Sequence, residues 1–226
     1  ASTSTALISI TLSEASTDFS AQDVGLNNLG ALTSFGGDGS GRNYTAVFTP
    51  TPGVSQSGSL TINAGVFSDA AGNTNTSGYT LPLTIDALAP TVSVVVDKPA
   101  GTLRSGEVAT LTFTVSEAVG SGAGALTSAE VLVTGGTITG FGLGPGSNQY
   151  TATFTPAANS TTTALIGVGA SAVTDTVGNP NAATPLVSLA VDTVAPTVSV
   201  SSSVTALNAT STALISITLS EASTDF

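Results

Sequence analysis

Residues 3–19 (TSTALISITLSEASTDF) recur letter for letter as residues 210–226, 207 positions later. A looser echo falls midway, where Thr114-Val-Ser-Glu-Ala118 answers Thr11-Leu-Ser-Glu-Ala15. A period near half the long offset means one structural unit used several times, which fixes the architecture before any single element is considered. Further landmarks repeat at a spacing of 106. Asp86-Ala-Leu-Ala-Pro90-Thr-Val-Ser-Val94 matches Asp192-Thr-Val-Ala-Pro196-Thr-Val-Ser-Val200, and Tyr44-Thr-Ala-Val-Phe-Thr-Pro50 matches Tyr150-Thr-Ala-Thr-Phe-Thr-Pro156. Asp69-Ala-Ala-Gly-Asn73 matches Asp175-Thr-Val-Gly-Asn179. Proline cannot continue a central ladder, so the Pro-containing stretches are taken as linkers. The expected domains are residues 1–90 without a first strand, a complete copy at 91–196, and the opening strands of a third at 197–226.

Within the complete copy, apolar and polar residues alternate with period two in short runs. Strands are expected at 91–96, 108–115, 130–133, 137–141, 150–155, 164–173 and 186–191. No stretch combines helix caps with a 3.6-residue period. Seven short strands with regular turn signals predict an all-β fold, a two-sheet immunoglobulin-like β-sandwich repeated end to end. The chain has no Cys and no Trp. Its cores must therefore be aliphatic, with Phe113, Tyr150 and Phe154 as the larger pieces of the second.

Composition narrows function by exclusion. Fourteen acids face three bases, Arg42, Lys98 and Arg104, for a net charge of −11. Such a surface repels nucleic acid, whose binding needs clustered Lys and Arg, and offers no polybasic patch to anionic lipid. No run of 18 apolar residues exists to insert in a membrane. Without His or Cys the common triads and Cys–His pairs are closed, and a Ser–Lys dyad would depend on Lys98 between Asp97 and Pro99. A glycosidase-like carboxylate pair would have to use acids that repeat along the array, so no enzyme is expected. The glycine-rich stretches lack any phosphate-loop pattern leading into a helix and are taken as loops.

The ordered set S-E-A, Y-T-A-x-F-T-P, D-x-x-G-N and D-x-x-A-P-T-V resembles the bacterial Ig-like repeats of giant cell-surface adhesins and biofilm-associated proteins. The resemblance covers nearly the whole chain; the second copy departs from it in a glycine-rich insertion at 120–124. It implies secretion to the bacterial cell surface and a stalk built of beads that contact their neighbours in the same chain. It also implies calcium at the joints, as several such adhesins have.

The topology of a seven-stranded sandwich makes its own statement about the acids. Alternating strand direction puts the start of the first strand, the end of the second and the loop before the last at one pole. Asp86 should then approach Glu117, Asp175, Gly178 and Asn179. By the same reasoning Asp192 faces Glu221, while Glu14, Asp69, Gly72 and Asn73 form the corresponding loops of the first copy. These are oxygen ligands only, which suits calcium, with its six to eight oxygens and tolerance of irregular geometry. Zinc and copper lack their usual His and Cys partners. The plainer alternative is that D-x-x-G-N turns cap their own backbone and need no ion, and that each Glu is a solvated strand end. Two other functions stay open at this point: repeats that assemble laterally or by strand addition with other copies into a fibre or matrix, and a carbohydrate-binding module. The latter is disfavoured by an aromatic content of 5%.

Overall fold

A computed structural model describes residues 4–98, 101–224 and 226. The chain divides into two compact units. The first comprises Ala1–Ser93, Thr114–Glu130 and Val168–Thr184; the second comprises Val94–Phe113, Val131–Gly167 and Pro185–Phe226.

Six strands open the first unit: β1 (Ala6–Thr11), β2 (Val24–Gly25), β3 (Gly30–Gly37), β4 (Asn43–Pro50), β5 (Ser55–Ile62) and β6 (Tyr79–Asp86). They form two three-stranded antiparallel sheets, ordered β1-β4-β3 and β2-β5-β6. Alternation decides which side chains go inside. In β1, Ile8 and Ile10 are buried while Leu7, Ser9 and Thr11 are exposed, the period-two pattern of a strand with one wet face. Ile8, Ile10 and Phe48 from one sheet meet Val24, Leu60, Ile62 and Ile85 from the other in a single apolar cluster. Burying each such side chain is worth about 1.5–3 kcal/mol, so the cluster, not the short strands, holds the sandwich together.

The same order returns with an added strand: β7 (Val92–Val96), β8 (Ala109–Val115), β9 (Val131–Thr134), β10 (Gly136–Leu143), β11 (Gln149–Pro156), β12 (Ala164–Val168) and β13 (Val187–Leu189). Here the sheets are β10-β11-β8-β7 and β13-β12-β9. Leu103, Leu111, Phe113, Phe154 and Ile166 are wholly buried in the second unit. A last pair, β14 (Val198–Ser202) and β15 (Ile215–Leu219), forms a two-stranded antiparallel ribbon. The architecture is thus all-β, with the sheets of an immunoglobulin-like sandwich.

Two glycines show how local chemistry fixes this pattern. A Cβ on Gly136 would sit 2.3 Å from the Thr155 carbonyl oxygen, and one on Gly30 would sit 2.1 Å from that of Thr49. Only glycine lets β10 and β3 begin so close to their neighbours. Both strands then bulge at corresponding places, after Thr33 and after Thr139.

Three sequence expectations shift. The strand expected at 164–173 ends at Val168, because the Asn181 side chain takes over the backbone pairing beyond it. Its amide donates to the Gly169 carbonyl at 2.9 Å, and its oxygen accepts from the Val173 N–H at 2.9 Å. The strand expected at 186–191 is regular only over Val187–Leu189; Val191 instead bridges in parallel to Leu103. Tyr150 is half-buried rather than central, as is Tyr44 at the equivalent place in the first copy. Tyr150 stacks on Phe141 at 5.6 Å and Tyr44 on Phe35 at 5.6 Å, while the Tyr44 hydroxyl reaches the Gly41 carbonyl at 3.2 Å.

Candidate metal centre

Three segments of the first unit meet at one point. β6 delivers Asp86 as its last residue. The stretch after β8 delivers Glu117, and it is held in place by the preceding serine. The Ser116 N–H donates to the Thr91 carbonyl at 2.9 Å, and the Thr91 N–H donates to the Ser116 hydroxyl at 2.9 Å. The third segment is the D-x-x-G-N turn at 175–179. Asp175 Oδ1 accepts the N–H groups of Val177 at 2.9 Å and Asn179 at 2.8 Å. Its Oδ2 accepts the Asn179 side-chain amide at 2.6 Å. Gly178 makes this curl affordable with φ of 95°, a conformation that costs other residues about 1 kcal/mol or more.

Ligand oxygens of Asp86, Glu117 and Asp175 all lie within 4.8 Å of one another. Asp175 is 2% exposed and Asn179 6%. The Asn179 amide also donates to the Asp86 carbonyl at 2.9 Å, which ties the turn to the end of β6. Asp86 Oδ1 is buried and accepts no hydrogen bond among the described residues. That is a costly state for a polar atom without a partner.

The electrostatics follow from this crowding. Burial, and then the neighbouring charges of Asp86 and Asp175, push the Glu117 carboxyl above its ordinary value. Burial alone would push Asp175 the same way. Hydrogen bonds from the Asn179 side chain and from the backbone of Asn179, Val177 and Gly178 outweigh it and hold Asp175 below the usual range. The site therefore presents an ionised Asp175 beside a Glu117 that resists ionising.

A divalent cation would fit this arrangement. Oxygens sharing one calcium at about 2.3–2.6 Å lie no more than about 5 Å apart, and these three meet that limit. The donor set is oxygen throughout, and the orphaned Asp86 Oδ1 is an acceptor in need of a partner. Asp86, Glu117 and Asp175 are the residues that would hold the ion.

The remaining sequence candidates separate into two groups. Asp69 and Asn73 reproduce the local turn: Asp69 Oδ1 accepts Ala71 N–H at 2.9 Å and Asn73 N–H at 2.8 Å, and Oδ2 accepts the Asn73 amide at 2.8 Å. Gly72 has φ of 89°. Led by the Asn73 side chain, these bonds hold Asp69 below its ordinary range. Glu14 lines the same cleft, but no third carboxylate joins them among the described residues. In the second unit Asp192 and Glu221 line one open cleft with Arg104. Asp192 Oδ1 accepts the Val194 N–H at 3.3 Å.

One feature of the centre was not singled out in the sequence: the Ser116–Thr91 clamp, whose signal is the joint repetition of Ser-Glu-Ala and Ala-Pro-Thr. The glycine-rich insertion at 120–124 settles on the site's own loop: Gly120 N–H donates to the Thr174 carbonyl at 2.8 Å, and Thr174 N–H to the Gly124 carbonyl at 3.2 Å.

A sequence profile described as "Bacterial Ig-like domain" matches residues 1–85 and again residues 86–191. No curated protein and no solved structure matches the chain.

Proposed function

The chain belongs to the bacterial Ig-like domain family, and from that premise we propose that it is a calcium-stiffened spacer of a large extracellular adhesin or surface filament. Bacterial Ig-like domains are commonly extracellular or on the cell surface, where they serve as repeats of surface proteins. A stalk of such repeats holds a distal region away from the cell, and its reach grows with copy number.

The observation that supports the calcium part is the trio of carboxylates within 4.8 Å, one with a buried, unpartnered oxygen. Asp86 is the first residue of the second matched segment, and Glu117 and Asp175 come from loops further along that same segment. An ion held by all three ties the junction to two loops at once. Without it, three acids repel one another and the junction loosens. Calcium that binds only the ordered arrangement stabilises it by about 2.7 kcal/mol when present at 100 times its dissociation constant. The role is mechanical, with no catalytic step.

Melting and small-angle scattering of the chain, in millimolar calcium and then in EGTA, test this. The proposal expects a higher melting temperature and a more extended particle with calcium. Identical melting and scattering in both would end it.

A further inference from the structure

The D-x-x-G-N turn at 175–179 is bonded within itself, so its internal bonds do not decide where Asp175 stands relative to Glu117. The residue ahead of the turn does. Both main-chain groups of Thr174 are taken by the glycine-rich insertion: its carbonyl accepts the Gly120 N–H at 2.8 Å, and its N–H donates to the Gly124 carbonyl at 3.2 Å. Between those two bonds the insertion makes a single 3-10 helical turn, Gly122–Gly124, closed by the Ala125 N–H on the Gly122 carbonyl at 3.1 Å. Val119 bridges Asp175 itself in antiparallel pairing. Glu117 lies two residues before Val119, so one short ladder carries two of the three clustered acids. Gly124 is buried, and a Cβ there would fall 2.6 Å from Thr174 Oγ1; the close approach requires glycine.

The first copy lacks the insertion and holds the same point with a side chain. Ser68 precedes Asp69 as Thr174 precedes Asp175. Its N–H donates to Asp18 Oδ1 at 2.8 Å and its hydroxyl to Oδ2 at 2.6 Å. Ser16 bridges Asp69 just as Val119 bridges Asp175. One requirement is thus met twice by different chemistry, which marks the placement of the turn as what the fold maintains. The two solutions differ in charge: the first adds a carboxylate beside the acids, and the second brings only neutral backbone groups.

We propose that the insertion at 120–124 is a positioning clamp, which sets Asp175 beside Glu117 before any ion arrives. The proposal rests on the reading of Asp86, Glu117 and Asp175 as cation ligands. A ligand loop that is already ordered binds more tightly, because the ion does not have to supply the free energy of ordering it.

Gly120→Pro and Gly120→Ala separate bond from bulk. Both add a Cβ, 3.2 Å from the Asp175 carbonyl oxygen, and only proline removes the N–H that holds Thr174. Amide hydrogen exchange in EGTA reads the clamp without the ion. Gly120→Pro should speed exchange of the Val177 and Asn179 N–H groups, which donate to Asp175 Oδ1, by about three- to ten-fold, the worth of one hydrogen bond. Ala71 and Asn73 in the first copy should be unaffected, and Gly120→Ala should stay close to wild type. Gly124→Val, which forces a side chain against Thr174 without touching the Gly120 N–H, should repeat the proline pattern. Calorimetric titration with calcium should show affinity lowered by a similar factor in the proline and valine variants. Unchanged exchange at Val177 and Asn179, equal effects of alanine and proline, or acceleration spread evenly over both copies would overturn the clamp, whatever calcium does. Faster local exchange with unchanged calcium affinity would overturn its effect on binding. A wild-type chain that binds no calcium but keeps this exchange pattern would remove the calcium reading and leave the clamp standing.

Discussion

Replacing Glu117 with Gln should have opposite effects with and without calcium. Glu117 is half-buried, and its oxygen lies within 4.8 Å of those of Asp86 and Asp175. At that separation two like charges repel by about 1 kcal/mol in a water-like medium and about 3.5 kcal/mol at an effective dielectric of 20. A half-buried group with two such neighbours, partly relieved by solvent and by its raised pKa, should cost the ion-free fold about 1–2 kcal/mol. Glutamine keeps the shape and removes the charge. In EGTA its melting temperature should therefore rise by about 2–8 °C, at 2–4 °C per kcal/mol for a chain of this size. In calcium the same change removes a charged ligand, and affinity should fall by about ten-fold or more, since oxygen cages are tuned by their charge count. Differential scanning calorimetry of both proteins in EGTA and across a calcium series reads both effects. A variant that melts lower than wild type in EGTA would refute the electrostatic reasoning. One that melts higher by the same margin in saturating calcium would refute the role of Glu117 as a ligand.

Other consequences are separable. Asn179→Ala strips the Asp86 carbonyl and the buried Asp175 of their amide donor and should cost about 1–3 kcal/mol in denaturant unfolding. Asn73→Ala, at the same place in the exposed copy of the turn, should cost far less, because water replaces its bonds. In EGTA, acidification from pH 7 should first stabilise the chain. Glu117, with its folded value raised above 4.5, favours folding when protonated, and that contribution is lost as pH rises through its folded value. Asp175, held below 3.8, does the reverse, and its contribution disappears as pH falls through its folded value. A melting temperature that falls steadily from pH 7 downward in EGTA would contradict this. Leu103→Ala, which empties a wholly buried position in the second unit, should cost about 2–5 kcal/mol by the same unfolding assay.

The strands were legible because alternation in segments such as ALISIT and ATLTFTV states which side chains face inward, and repetition supplied each pattern more than once. The approach of Glu117 and Asp175 to Asp86 was legible for a related reason: strand direction alone assigns their loops to one pole. Side-chain substitutions for backbone pairing were not legible. Asn181 ends β12 at Val168 by bonding Gly169 and Val173, yet alternation continues through the turn and carries the sequence reading to residue 173. Leu103 lies between Gly101 and Gly106 with no pattern around it, so its burial depends on a bridge to Val191 that local sequence does not encode. The unequal burial of two matching turns was equally hidden. Asp69 and Asp175 make the same local bonds, and what differs is the end of β6 packed on Asn179.

Whether one cation sits among Asp86, Glu117 and Asp175 is decided most directly by counting ions. Equilibrium dialysis with radioactive calcium, on the wild-type chain and on Asp86→Asn/Glu117→Gln/Asp175→Asn with folding checked by circular dichroism, gives the difference in stoichiometry. The account predicts that the folded triple variant binds one ion fewer per chain. An unchanged number of bound ions, or none bound by either protein at millimolar calcium, would contradict it.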